Sequence, residues 1–257
     1  MSQPSFEERQ LSFGASADAY RRFRPTYPSQ AIDWVIAAAT TPVSHVADVG
    51  AGTGALTEQL IQRGLRVDAV EPDAGMLDTL TSSLLGVTAH QAPAEHLPLD
   101  AASVDAVFVA QAWHWLDHPV AADEFARVVR PGGVLGLMWN LRYLEADWMR
   151  DLAQLIGGED RMVMLSDGND EVHRSLIQLG SQWSGVESFH VHHDVVMNPD
   201  DLVGLIGTYS YVRLRADAAD VLASVRELAI THPDLAGRER FPMPYVTVAY
   251  RAVRDSR

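Results

Sequence analysis

Val46-Ala47-Asp48-Val49-Gly50-Ala51-Gly52-Thr53-Gly54 is the stretch that decides the fold of this 257-residue chain. A short apolar run gives way to alternate glycines, and Leu56, Leu60 and Ile61 then recur at helical spacing until Gly64 closes the helix. The pattern is strand, glycine turn, helix. Glycine lets the backbone turn tightly and approach a ligand with no Cβ in the way. The helix start behind the turn offers free N–H groups and the positive end of a dipole, which suit a carboxylate or phosphate. Val67–Val70 reads as the next strand and ends at Glu71, 17 residues beyond Gly54. A carboxylate at that strand end can accept both hydroxyls of a ribose lying across the sheet.

The same beat continues outward. Met76, Leu77, Leu80, Leu84 and Leu85 mark a helix, Val87–Gln91 a third strand and Val104–Ala110 a fourth. Ala121–Val129 reads as a helix, Arg130-Pro131-Gly132-Gly133 as a turn and Val134–Trp139 as a fifth strand. Upstream, the prolines of Arg24-Pro25-Thr26-Tyr27-Pro28 oppose a helix, and Ser29 is placed to cap the one carrying Ile32, Trp34, Val35 and Ile36. Beyond Asn140 the rhythm breaks. Leu144–Ile156 reads as a helix, Gly157–Asp170 as a loop, Val186–Met197 as a sixth strand, Asp200–Leu214 and Ala218–Ile230 as two helices, and Tyr245–Arg251 as the last strand. Apolar strands alternating with amphipathic helices predict one α/β domain: a doubly wound, seven-stranded, mostly parallel sheet with its last strand antiparallel. Residues 1–45 are expected to form an N-terminal cap, 46–140 the cofactor core, and 141–257 the remaining strands with a helical lid over 198–243.

Composition removes much chemistry. There is no cysteine, which excludes disulfides, thiolate metal sites and a cysteine nucleophile. There is also no lysine, so all 20 basic residues are arginine, and a Schiff-base or P-loop lysine is excluded. A formal net charge of −14 makes nucleic acid and anionic membrane poor partners. Met1–Gln10 has no apolar run of a signal peptide, and no apolar stretch approaches the roughly 20 residues of a membrane span, so a cytoplasmic protein is expected. Oligomeric state is not legible.

On the loop and its acid alone, a nicotinamide cofactor and S-adenosylmethionine stand level, because Gly50, Gly52 and Ala55 also satisfy the dinucleotide pattern G-x-G-x-x-A. A tight turn holding no ligand is the plainest alternative. The order of further motifs separates them. Asp48 to Gly54, Val70-Glu71-Pro72, Ala94-Glu95-His96-Leu97-Pro98, Val104 to Val107 with Gln111-Ala112, and Arg130 to Gly133 resemble, in sequence, the successive motifs of class I S-adenosylmethionine-dependent methyltransferases. Phe13 to Pro28, Trp113 to Asp117, Trp139-Asn140 and Pro244 to Arg251 are similar to a small-molecule subgroup that includes trans-aconitate methyltransferase-like proteins. The resemblance implies S-adenosylmethionine as cofactor, S-adenosylhomocysteine as product and a small-molecule acceptor bearing a carboxylate or hydroxyl. It implies Tyr20, Arg24, Asp48, Gly50, Gly52, Gly54, Glu71, Met76, Ala94, Glu95 and Gln111 around the cofactor. Many relatives carry an aspartate where this chain has Pro93, which leaves the adenine to the Ala94 amide and Glu95. A non-catalytic binding protein on the same fold stays open.

Methyl transfer from a sulfonium needs alignment and exclusion of water, and in some cases removal of an acceptor proton; it requires no metal. His114, just past the fourth strand, is the candidate base, with Trp113, Trp115, Asn140, Tyr209 and Tyr211 as candidate acceptor contacts. The bland alternative is that Trp113-His114-Trp115 packs under the cap. His190, His192 and His193 lack a nearby acid placed to complete a metal site, so none is expected.

Overall fold

A computed structural model of the chain describes residues 17–157 and 177–255. Phe13, the Met1–Gln10 segment and most of the loop expected over Gly157–Asp170 lie outside the described residues. Helices α1 (Ala17–Phe23) and α2 (Ser29–Ile36) precede the sheet. There follow β1 (His45–Val49), α3 (Ala55–Gln62), β2 (Arg66–Val70), α4 (Ala74–Ser83), β3 (Thr88–His90), β4 (Val104–Ala110), α5 (His118–Val128) and β5 (Val129–Arg142). The chain continues through α6 (Asp147–Ile156), β6 (Glu187–Met197), α7 (Pro199–Gly207), the short α8 (Ser210–Arg213), α9 (Ala218–Thr231) and β7 (Phe241–Val253). The seven strands lie in the order β3-β2-β1-β4-β5-β7-β6. β1 to β5 pair in parallel, and β7 inserts antiparallel between β5 and β6. The predicted doubly wound sheet with an antiparallel last strand is the observed one.

Strand side chains alternate between two covered faces, as a parallel sheet requires. Val46, Ala106, Phe108 and Val134 pack with Ile32 and Val35 of α2 and with Leu56 and Leu60 of α3. Ala47, Val49, Val107 and Val109 pack with Phe125 and Ala126 of α5 on the other face. A third cluster joins α6, α7 and α9 to the start of β7, through Trp148, Met149, Leu205, Ile206, Val225, Phe241 and Tyr245. The 198–243 segment is therefore a helical layer with its own buried core. Gly204 of α7 is required by packing: a Cβ there would come within 2.5 Å of the Phe23 ring.

Three local expectations need correction. The predicted helix 200–214 breaks at Thr208-Tyr209, where α7 stops and Tyr209 takes an extended backbone before α8. The predicted turn Arg130–Gly133 lies inside β5 as an irregularity, with the β4 register shifting between Val104 and Ala106. The last strand begins at Phe241, four residues before the predicted start, because Phe241–Pro244 continue the antiparallel ladder with β6 beyond the end of β5. Among the described residues no helix is long and apolar enough to cross a membrane.

Candidate active site

Adjacent β1 and β4 send their connections to opposite sides, β1 toward β2 and β4 toward β5, and at that switch point the carboxyl ends of the strands open a crevice. A cleft of about 570 Å³, counting the open solvent at its mouth, lies there. The turn after β1 supplies Gly50, Ala51, Gly52 and Thr53 to its lining, the turn after β4 supplies Gln111, and β5 supplies Asn140. The N-terminal segment adds Tyr20, Arg24 and Tyr27, while the break after α7 and the start of β7 add Tyr209 and Tyr245.

The cradle is built by short polar bonds. The Gly52 N–H donates to Glu71 Oε2 at 2.8 Å and the Asp73 N–H donates to Glu71 Oε1 at 3.0 Å, which fixes the carboxylate while leaving each oxygen a further lone pair. Burial pushes the Glu71 carboxyl above its ordinary range, against those two backbone bonds. Gly52 has φ +56° and a Cβ built on it would meet no atom within 4 Å, so the backbone demands glycine and the space beside it is open. The Thr57 hydroxyl donates to Asp48 Oδ2 at 2.6 Å. Burial pushes the Asp48 carboxyl up to about 7; the Thr57 bond opposes that and the Glu71 charge adds to it. Thr53 is buried, with its hydroxyl oxygen lacking a hydrogen-bond partner among the described residues.

Gln111 also holds a positive φ, +59°, with its N–H bonded to Met138 O at 2.8 Å. A strained non-glycine residue in a cavity wall is a feature of functional sites. Asn140 works as a structural tie: its Nδ2 donates to Pro25 O and Thr26 O, and its Oδ1 accepts from Thr247 at 2.6 Å. It thereby seats the Arg24–Pro28 segment over the sheet. Arg24 donates from Nε to Thr208 Oγ1 at 3.0 Å and lies over the rings of Tyr20 and Tyr209.

Of the expected site residues, Tyr20, Arg24, Asp48, Gly50, Gly52, Gln111, Asn140 and Tyr209 meet in this cavity. Others, Glu71 among them, do not line it; Glu71 stands behind the Gly52 N–H whose hydrogen bond it accepts. Gly54 begins α3 with a left-handed φ of +90° and faces Leu80 and Leu84. Met76 is buried in α4, and its N–H is capped by Asp73. Ala94 belongs to the core, and Glu95 accepts the Asp117 N–H at 2.9 Å, tying its turn to the start of α5. Trp113 is a core residue stacked on His118, in place of the expected acceptor contact. His114 is exposed on the 3-10 turn Trp113–Trp115, its ring against Trp115, and neither lines the cavity. Tyr211 stacks on Tyr209 from outside the lining. Sequence reasoning missed Thr53, Tyr27 and Tyr245. Thr53 was legible within the glycine loop; Tyr245 meets the site, with Arg142 beside it, only through the β5–β7 pairing, which carries no local signal.

The family described as a methyltransferase domain matches residues 47–137. An uncharacterised methyltransferase of Mycobacterium tuberculosis is 42% identical over 96% of this chain and 98% of its own length. The chain belongs to the class I S-adenosylmethionine-dependent methyltransferase family. A protein from Anaeromyxobacter dehalogenans, provisionally described as a type II methyltransferase, has a similar structure: TM-score 0.69, 27% identity, 90% of this chain and 98% of that one. The fold is also shared with a Haemonchus contortus phosphoethanolamine N-methyltransferase solved with S-adenosylhomocysteine, at TM-score 0.54 and 14% identity over 100% of this chain and 61% of that one. The cofactor of this methyltransferase is S-adenosylmethionine. Its own residues fit that group: open space beside Gly52, two anchored oxygens on Glu71, and a buried Thr53 hydroxyl awaiting a partner.

Proposed function

We propose that this methyltransferase acts on a small-molecule acceptor through an oxygen atom, a carboxylate or a hydroxyl. The observation that carries the reading is the make-up of one cavity, in which the Gly50–Thr53 loop adjoins an aromatic and arginine wall of Tyr20, Arg24, Tyr27, Tyr209 and Tyr245. When bound, S-adenosylmethionine supplies a methyl group already activated on a sulfonium for in-line transfer.

The chain's own work is to bind, align and keep water out. Glu71 takes the ribose hydroxyls, the glycine loop admits close approach of the nucleoside portion, and Thr53 offers a hydroxyl to the amino-acid portion. The tyrosine rings exclude water and present flat apolar faces to the acceptor. Arg24, held by Thr208 and sandwiched by two rings, supplies fixed positive charge where an anionic group has to settle. A carboxylate favours this site over a hydroxyl: it is ionised at neutral pH and needs no base, which agrees with His114 standing outside the lining. Incubation with S-adenosylmethionine and panels of carboxylic acids, alcohols and amines, read by mass spectrometry, tests the reading. Methyl esters or ethers are expected; methylated amines as the sole products overturn it.

A further inference from the structure

Arg142 is the last residue of β5 and is only 6% exposed, yet among the described residues its Nη1 has no hydrogen-bond partner. Among the described residues neither Arg142 nor Arg24 makes an ion pair with a carboxylate, in a chain whose acidic residues outnumber its basic ones by 34 to 20. The groups around Arg142 are tyrosines. Its guanidinium lies 5.4 Å from the Tyr209 ring centre, it is hydrogen-bonded to the Tyr211 hydroxyl, and it pairs in register with Tyr245 on β7. Arg24 lies 4.5 Å from the same Tyr209 ring. Two guanidinium groups thus share one aromatic ring: Arg24 lines the cavity, and Arg142 lies beyond the lining, next to Tyr209 and Tyr245.

Such a pair is unfavourable by itself. Like charges repel, and a buried charge without a counterion loses its hydration with nothing in return. Tyrosine rings give partial compensation through their π faces and hydroxyl oxygens, but they leave the net charge uncancelled. An oxyanion resting against both guanidinium groups would cancel it, and arginine's planar fork matches a carboxylate or phosphate in two-point contact.

We propose that Arg142, with Arg24 and the Tyr209–Tyr211–Tyr245 cluster, forms the acceptor-binding subsite of this enzyme and holds a negatively charged oxygen group of the acceptor. The subsite rests on the reading of the cavity as the methyl-transfer chamber and narrows its substrate to oxyanion-bearing small molecules. Arg142 sets specificity here; it takes no part in bond making.

The test is calorimetric titration of succinate, benzoate and inorganic phosphate, at matched ionic strength, into protein saturated with S-adenosylhomocysteine. At least one of these probes binds, and the arm that responds tells a carboxylate from a phosphate as the source of the charge. Arg142→Gln weakens that probe by about tenfold or more, Arg142→Lys restores part of the loss, and S-adenosylhomocysteine affinity stays unchanged in both. No binding of any probe, or equal binding by Arg142→Gln, overturns the subsite while leaving the cofactor site intact. Failure of S-adenosylhomocysteine to bind the unaltered protein overturns the methyl-transfer reading and the subsite with it. Should Arg142→Gln not fold, melting of the unaltered protein decides: its Tm rises with the oxyanion above a chloride-matched control, and no rise overturns the proposal.

Discussion

The Glu71 carboxylate and the Gly52 N–H are joined at 2.8 Å, so the end of β2 holds the backbone of the turn that follows β1. The two recognition elements read separately in the sequence are one mechanical unit. The Asp73 N–H takes the other oxygen, and Asp73 in turn caps α4 at Met76. A change at Glu71 therefore alters the shape of the loop together with the proposed ligand contact.

Buried Asp48 has its pKa raised to about 7, and Glu71 is raised as well. The folded state then binds more protons than the unfolded state between the ordinary carboxylate range near pH 4 and pH 7. The Asp48 contribution to stability is full below that range and is lost as pH rises toward 7, and Glu71 adds in the same direction. Asp48→Asn is expected to flatten the fall in Tm between pH 4.5 and 7.5. An unchanged slope in that variant would show that Asp48 is ionised without cost.

Asp105 behaves in the opposite sense. It is buried, but N–H bonds from Ser44 and His45 and the Arg130 guanidinium outweigh that burial and hold its pKa at about 2. Its stabilisation is present above pH 4 and disappears as pH falls through 2. Asp105→Ala leaves two N–H groups and a guanidinium without their acceptor and should cost about 3 kcal/mol in urea unfolding at pH 7. A loss under about 0.5 kcal/mol, the size of an ordinary surface change, would contradict this account of Asp105.

Replacement of His114 separates its two readings. A general base contributes about 10²- to 10⁴-fold, whereas an exposed residue outside the cavity contributes little. His114→Ala is expected to keep kcat within about fivefold of the unaltered enzyme, far from that range. A drop of a hundredfold with KM unchanged would return His114 to the reacting atoms, through a conformation in which its turn swings inward.

Residues 198–243 are expected to act as a lid hinged at Thr208-Tyr209. Arg24 grips Thr208, and the break between α7 and α8 is where Tyr209 enters the cavity. Hydrogen exchange should be fast over 207–216 in the ligand-free protein and slow with both cofactor product and acceptor present, while α9 stays protected throughout. Protection over 207–216 as deep as that of β4 in the ligand-free protein would rule out the hinge.

The sheet was readable because its signals are local. Val46–Val49, Val67–Val70 and Val104–Ala110 are apolar runs flanked by glycine or acidic turns, and each became a strand within a residue of expectation. The glycine loop and Glu71 were readable for the same reason. What escaped depends on contacts distant in sequence. Trp113 faces the core because α5 brings His118 and Phe125 under it, and Glu95 turns to the Asp117 N–H at the start of α5. Arg142 and Tyr245 become neighbours only when β7 inserts beside β5, 103 positions apart in the chain. Helix 200–214 was overextended because Ile206 and Val212 continue the apolar spacing across a break that Tyr209 makes with its backbone.

The most direct test of the central claim, that the Gly50–Thr53 loop and Glu71 hold S-adenosylmethionine, is calorimetric titration of S-adenosylhomocysteine into the unaltered protein, Glu71→Ala and Gly52→Val. The unaltered protein should bind one equivalent. Glu71→Ala should lose about 1.5–3 kcal/mol, the worth of charged hydrogen bonds. Gly52→Val should lose more, since a branched side chain at φ +56° both strains the turn and fills the open space beside it. Normal affinity in both folded variants would contradict the assignment of the site.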